Sequence, residues 1–349
     1  MKQARGGERS VAGGDAGRAR RQGPVVIAGV EVAPGTSEHL EIPVAELPTE
    51  TYLSLPVAVV HGREPGPRLW LSATIHGDEA NGIEIIRNVL ERVEPRRLRG
   101  TLIAVPIVNV FGFIQQSRYL PDRRDLNRCF PGSPRGSLAA RLAHLFMREV
   151  VAHCTHGIDL HTGANHRSNL PQIRADLRDR PTRRCAEAFN APVMMHSRAR
   201  DGSLREAATR RGLKVLLYEG GEAQRFDREA IEIGTGGVLR VMTHLGMGQF
   251  RHRKQPAHGH SVELVSSVWV RARRGGILRL QTRLGERVAE GQQLGTIADA
   301  FGEHPLAVRA PVEGIVIGLN KMPLVNQGDA IAHIGQLKGR ARRRPGRAE

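Results

Sequence analysis

The sequence predicts an α/β fold: a sheet covered by helices on both faces, followed by a smaller all-β unit. Three observations predict it. Short apolar runs alternate with amphipathic segments over residues 61–250, the pattern of strands crossing over through helices. A polar stretch from Arg251 to His260 (RHRKQPAHGH) then interrupts the chain. Beyond it, helical spacing vanishes and short strands lie between glycines over residues 262–335. A length of 349 residues fits two domains.

Taken in order, residues 24–60 read as strands at Pro24–Val30, His39–Val44 and Leu53–Val60, separated by Pro/Gly turns. Arg68–Ile75 is a short apolar strand. Glu79–Val93 places Ile83, Ile86, Val89, Leu90 and Val93 at helical spacing. Gly100–Asn109 is strand-like. Ser137–Val151 is an amphipathic helix with Leu138, Leu142, Leu145, Phe146 and Val150 on one side. Gly157–Leu160 and Leu213–Tyr218 are brief strands, and Ser203–Arg211 and Asp227–Leu245 are helices.

The last region contains a repeat. Val288, Gly291, Leu294 and Ile297 are spaced by three, and Val325, Gly328, Ile331 and Ile334 repeat the order. Two such halves suggest a small pseudo-symmetric β sandwich. The phrases Gly285-Glu-Arg-Val-Ala-Glu-Gly291 and Ala310-Pro-Val-Glu-Gly314 resemble biotinyl/lipoyl carrier domains. The resemblance implies a barrel-sandwich with a modified lysine on the hairpin between the halves. Here that hairpin reads Asp299-Ala-Phe-Gly-Glu-His304, and Lys321 lies inside the second half. The shape is expected without the carrier chemistry. The expected organisation is a basic disordered tail over 1–23, a catalytic domain over 24–250, a linker over 251–261, the carrier-like β domain over 262–337 and a second basic tail over 338–349.

Charge and composition narrow the function. The net charge of +17 invites a nucleic-acid reading. Residues 1–23 carry +4 of it and residues 338–349 carry +5, both in Arg/Gly/Ala-rich stretches without apolar periodicity. Thirteen aromatics, none interleaved with basic runs, make a stacking platform for single strands a poor fit. No nucleic-acid partner is expected. Three cysteines (Cys129, Cys154 and Cys185) form neither an even framework nor a CxxC pair, which favours a reducing compartment. No apolar run approaches the ~20 residues that span a bilayer. Arg20-Arg21 precedes an apolar stretch in the manner of an export signal, but Glu31 interrupts it, so the expected location is cytoplasmic with no membrane partner.

Four stretches carry chemistry. His76-Gly-Asp-Glu79 follows a strand and precedes a helix, so His76 and Glu79 can turn toward one point, as a tetrahedral zinc site requires. The plain alternative is a helix N-terminus, where Asp78 and Glu79 favour the dipole. His161, in Ile158-Asp-Leu-His161-Thr-Gly, ends a buried strand at the edge where open α/β sheets place ligands; the alternative is a satisfied core histidine. Two His and one Glu complete a catalytic-type zinc set. Asp159 is expected to alternate away from His161 along a strand, yet a neighbouring carboxylate commonly orients a ligand imidazole, and Asp159 is kept in that supporting role. Tyr218-Glu219-Gly-Gly221 puts a carboxylate at a strand end, suited to general acid–base work or simply to a turn. The Arg118–Gly132 loop is Arg-dense. It reads as solvated surface, except that Asn127 and Arg128 together suit a carboxylate.

The order HGDE…SRY…DLNR…DLHTG…YEGG resembles the aspartoacylase/succinylglutamate desuccinylase family from about residue 50 to 335. The resemblance implies a zinc-carboxypeptidase-like α/β/α fold and a zinc deacylase acting on a small N-acyl amino acid. It implies one Zn²⁺ per chain on His76, Glu79 and His161, with Glu219 as general base. Arg118 would polarise the scissile carbonyl or hold the oxyanion beside zinc, Asn127 and Arg128 would clamp a substrate carboxylate, and Arg205 would be a further carboxylate-binding arginine. The spacing of Arg205 to Glu219 departs from aspartoacylase proper. So does the turn Thr162-Gly-Ala-Asn165-His166-Arg167-Ser168-Asn169, which is more like the broad group of bacterial deacylases. The alternatives on the same fold are a metallocarboxypeptidase or amidase acting on peptide-like substrates, and a non-catalytic binding protein. A homo-oligomer is compatible with the sequence.

Overall fold

The computed structural model describes residues 22–164, 166–251 and 259–337. The expected tails lie outside the described residues except for 22 and 23, as do positions 252–258 of the expected linker.

One mixed sheet of twelve strands runs through the described residues. At its centre four strands lie parallel in the order Arg99–Val105, Glu64–Ala73, His156–Gly163, Lys214–Glu222. Their residues sort by parity. Leu69, Leu71, Ala73, Leu102 and Ala104 join one core with the helices Asn81–Leu90, Arg180–Phe189 and Arg228–His244. Trp70, Ile103 and Val105 join a second core with Leu138–Glu149 and Leu204–Arg210. Strands buried on both faces by helices make a three-layer α/β/α unit. The helix starts are fixed by short polar side chains: Ser137, Asp179, Ser203 and Asp227 each accept a backbone N–H of the first turn.

Several boundaries differ from expectation. The strand expected over Pro24–Val30 is a hairpin of Val25–Ile27 with Val30–Val32, because Ala28 and Gly29 both take positive φ and reverse the chain. The helix expected from Glu79 begins at Asn81, which leaves Glu79 in the preceding loop. The strand expected to reach Asn109 ends at Val105, before Pro106, and Asn109 caps a short helix, Val110–Ile114. Besides that short helix, three further elements were not expected: the strand Arg167–Ala175, the helix Arg180–Phe189 and the strand Val193–His196.

Beyond the linker, Leu306–Arg309, Gln293–Ala298, Gly276–Leu280 and Leu324–Val325 form a separate four-stranded sheet. The repeat has a packing meaning. Val288, Leu294, Ile297, Val325, Ile331 and Ile334 all lie in one core cluster, while Gly291 and Gly328 take positive φ in equivalent turns. The halves exchange their shortest strands: Arg287–Val288 pairs with Gly314–Asn320, and Leu324–Val325 pairs with Gly276–Leu280.

This unit is not simply tethered. Val262–Arg271 adds in parallel to Val193–His196, and Gly314–Asn320 pairs with Arg167–Ala175, so the central sheet continues into the C-terminal strands. Val193, Met195, Leu264, Ile315 and Ile317 form the apolar seam between them.

Candidate metal centre and substrate cleft

The ends of the Glu64–Ala73 and His156–Gly163 strands deliver the candidate ligands. His76, Glu79 and His161 are 4%, 2% and 4% exposed, and their donor atoms lie within 4.8 Å of one another. Gly77 is required between the first two. A Cβ there would lie 2.0 Å from the backbone of Gly112, so only glycine lets this loop pack against the Val110–Ile114 helix.

The Glu79 carboxylate sits between both rings: His76 Nδ1 is 2.7 Å from Oε1 and His161 Nδ1 is 2.9 Å from Oε2. The backbone N–H of Thr162 donates to Oε2 at 3.1 Å. Burial opposes a charge on Glu79, but the two imidazoles outweigh it and hold the carboxyl well below the usual carboxylate range. Burial likewise opposes a charge on His161, but Asp159 and Glu79 raise it well above the ordinary histidine value. Carboxylates lie against both nitrogens of the His161 ring, and they favour its imidazolium form, in which both nitrogens donate. A divalent cation would take the place of that shared proton. The donor set therefore fits a metal ion held by two neutral imidazoles and a carboxylate.

The outer ring nitrogens are also held. His161 Nε2 is 2.8 Å from Asp159 Oδ2, and Ser72 Oγ donates to Asp159 Oδ1 at 2.8 Å. Trp70 Nε1 donates to Ser72 Oγ at 3.3 Å. The expectation that Asp159 alternates away from His161 is corrected here. Residues two apart on a strand share a face, and that is why the carboxylate reaches the ring. His76 Nε2 is 3.2 Å from Asp125 Oδ1. Asp125 also accepts from Arg118 at 2.9 Å; burial opposes its charge, yet His76 and Arg118 hold its carboxyl below the usual range.

The remaining sequence-predicted residues surround one cleft of about 410 Å³. Arg118 NH1 is 3.4 Å from Glu79 Oε1, so its guanidinium borders the ligand cluster. Asn127 is buried and its side-chain oxygen accepts from Leu204 N at 2.9 Å, which leaves its NH₂ as the group available to a substrate. Arg128 is exposed, with NH1 2.5 Å from the Asn127 carbonyl. Arg205 is 7% exposed and donates to Ser197 O, Ser197 Oγ and Arg198 O. Burial, with Arg174 beside it, pushes its pKa down to about 10. Glu219 lies in register with His161 on the adjacent parallel strand, so the two side chains share a face. Its Oε2 accepts from Asn169 Nδ2 at 2.7 Å.

Seven arginines and three acids line the cleft, and among the described residues Arg118 is the one of the seven in an ion pair. The field inside is that of an anion site. Sequence reasoning missed Ser72, Asp125, Asn169 and Trp269, and four of the lining arginines, Arg167, Arg174, Arg198 and Arg200. Asp125 had a local signal, an Asp two residues before Asn127 in an Asx turn. Trp269 enters the lining from the C-terminal unit, stacks on His333 at 4.2 Å and carries the Arg167 guanidinium 5.4 Å from its ring centre. Its signal lay beyond the linker and had no local pattern. Cys129 has its thiol pushed up by burial, and His166 and His260 are exposed.

A mixed α/β sheet that brings two imidazoles and a carboxylate to one point, inside an arginine-lined cleft, defines a protein with a hydrolase-type, metal-competent centre. Residues 65–245 match the succinylglutamate desuccinylase/aspartoacylase catalytic domain, and the chain belongs to that family. It is 29% identical over 295 residues, 81% of this chain and 86% of the other, to the N-alpha-acetyl-L-2,4-diaminobutyric acid deacetylase of Halomonas elongata. Among solved structures it resembles a succinylglutamate desuccinylase/aspartoacylase from Rhodobacter sphaeroides at 27% identity and TM-score 0.77, covering 86% of this chain and 95% of that one. It also resembles the product-bound ectoine utilization protein EutE (DoeB) of Ruegeria pomeroyi at 26% identity and TM-score 0.76, with the same coverage. No helix among the described residues is long and apolar enough to cross a membrane.

Proposed function

We propose that the chain is a zinc-dependent deacylase that hydrolyses the amide bond of a small N-acyl amino acid. The carrying observation is the convergence of His76, Glu79 and His161 with Glu219 in register beside them. The family and the deacetylase relative support the amide-hydrolase reading. Three protein ligands leave a position for water or substrate.

His76, Glu79 and His161 would hold the zinc, which when bound polarises a carbonyl and brings the pKa of water down to about 7. Glu219 accepts a proton from the attacking water and returns it to the departing amine, releasing a carboxylate and an amino acid. Arg118, fixed by Asp125, donates to the oxygen on which charge develops. Asn127, Arg128 and Arg205 hold the substrate carboxylate. A cleft of about 410 Å³, lined by Arg118, Asn127 and Arg128 and by Trp269, suits a small acyl amino acid. The exchanged short strands of the C-terminal unit support the barrel-sandwich reading of residues 262–337.

The test is Glu219→Gln, with zinc content and turnover measured after a screen of N-acetyl, N-formyl and N-succinyl amino acids with added Zn²⁺. Zinc stays bound and turnover falls about 10²–10⁴-fold if Glu219 is the base. Near-wild-type turnover with zinc bound overturns the assignment.

A further inference from the structure

We propose that Asn169, seated by the C-terminal strand Gly314–Asn320, is a positioning residue for Glu219, which makes the C-terminal unit a working part of the catalytic site. The inference rests on the reading of Glu219 as general base.

The geometry is specific. Asn169 Nδ2 to Glu219 Oε2, at 2.7 Å, is the one side-chain hydrogen bond of Glu219 among the described residues. It ties down one carboxylate oxygen and leaves Oε1 to exchange protons. A glutamate side chain has three torsions, and a base must hold its oxygen within a few tenths of an ångström of the proton it takes. Asn169 supplies that restraint from across the sheet, and its own side chain is nearly buried, at 9% exposure.

What holds Asn169 comes from both sides. It is paired with Gly221 on the Glu219 strand and with Gly318 on the C-terminal strand. The register continues through Leu319 opposite Ser168 and Asn320 opposite Arg167. Gly318 leaves room where room is needed: a Cβ there would lie 3.1 Å from Asn169 Oδ1, 3.2 Å from His333 Cβ and 3.7 Å from the Trp269 ring. The carboxamide that holds Glu219 therefore rests on the backbone of the C-terminal unit. Any side chain at 318 would push on it.

A structural role for Asn169 and a positioning role make different predictions. Asn169→Asp keeps the shape against Gly318 but removes the N–H donor and faces Glu219 with a like charge. Asn169→Ala removes the donor without adding charge and guards against misfolding of the first variant. Gly318→Ala leaves every cleft side chain intact. The experiment measures kcat and KM for the best substrate of the acyl amino acid screen, zinc affinity by titration into the metal-free protein, and thermal midpoint. For both Asn169 variants kcat falls about 10–100-fold while KM and zinc affinity stay within about threefold of wild type. Gly318→Ala shows the same split with a smaller fall. Wild-type kcat in Asn169→Asp, or a loss of zinc affinity that matches the loss of activity, overturns the positioning role. Wild-type kcat in Gly318→Ala overturns the link to the C-terminal unit. Glu219→Gln measured alongside separates the two levels. If it is inactive while Asn169→Asp is active, the role of Asn169 alone fails. If it is active, the base assignment fails and this inference fails with it.

Discussion

His333 gives the C-terminal unit an acid sensitivity that can be calculated. Its ring is 4% exposed, lies flat on Trp269 at 4.2 Å with an 8° tilt, and has no partner for Nδ1. Burial, with the Arg174 guanidinium adding to it, pushes its pKa down from 6.5 to about 3. A histidine depressed on folding is neutral in the native state and takes a proton first in the unfolded chain. The unfolded state therefore binds more protons below pH 6.5, and stability falls as pH falls from 6.5 toward 3. Each pKa unit corresponds to about 1.4 kcal/mol, so the 1.5 units between 6.5 and pH 5 correspond to a loss of about 2 kcal/mol. Replacing His333 with Phe keeps a flat ring for Trp269 and removes the titration. Urea unfolding of both proteins, followed by tryptophan fluorescence at pH 7.5 and pH 5, isolates the effect because the other titrating groups are common to both. The wild type should lose about 2 kcal/mol more than His333→Phe across that interval. Parallel losses, within about 0.5 kcal/mol, would refute the buried, neutral histidine.

Two further predictions concern the support beneath the ligands. Asp159→Asn keeps the size of the side chain that holds His161 and removes its charge, so zinc affinity should fall about 10–100-fold in competition with a chromophoric chelator. An affinity within about threefold of wild type would release Asp159 from that role. Gly157→Ala drives a Cβ to within 2.1 Å of the buried Trp70 ring, which itself donates to Ser72. A cost of about 1–3 kcal/mol is expected in the urea midpoint, and an unchanged midpoint would contradict the contact.

The candidate centre was legible in the sequence where its residues sit at strand ends. His76, Glu79, His161 and Glu219 each end or follow an apolar run, and the sheet brings those ends to one edge. The segment from 167 to 196 was not legible, for a physical reason. Arg167, Asn169 and Arg174 line the cleft, so the strand carrying them lacks an apolar alternation and contains Pro171. The helix after it buries Thr182, Cys185, Ala186 and Phe189, a helical spacing carried mostly by small or polar residues. Asp159 lies two residues from His161 and so shares its face of the strand, whereas Ser72 reaches Asp159 only through the register between two strands. Asn169 and Trp269 depend on contacts across 50 residues and across the linker, and no window of local sequence contains both partners.

The continuity of the sheet also decides how its open margins are managed. A strand with unpaired N–H and C=O groups is a template for another chain. One margin of the twelve strands is Thr36–Glu46, which carries Glu38, Glu41, Glu46 and Pro43, residues that discourage further pairing. The other is Arg287–Val288, only two residues long. A chain ending before Val262 would instead present Val193–His196, with buried Val193 and Met195, as a bare apolar border. The C-terminal strands thus close off the central sheet against aggregation, and losing them would threaten solubility as well as the support of Asn169.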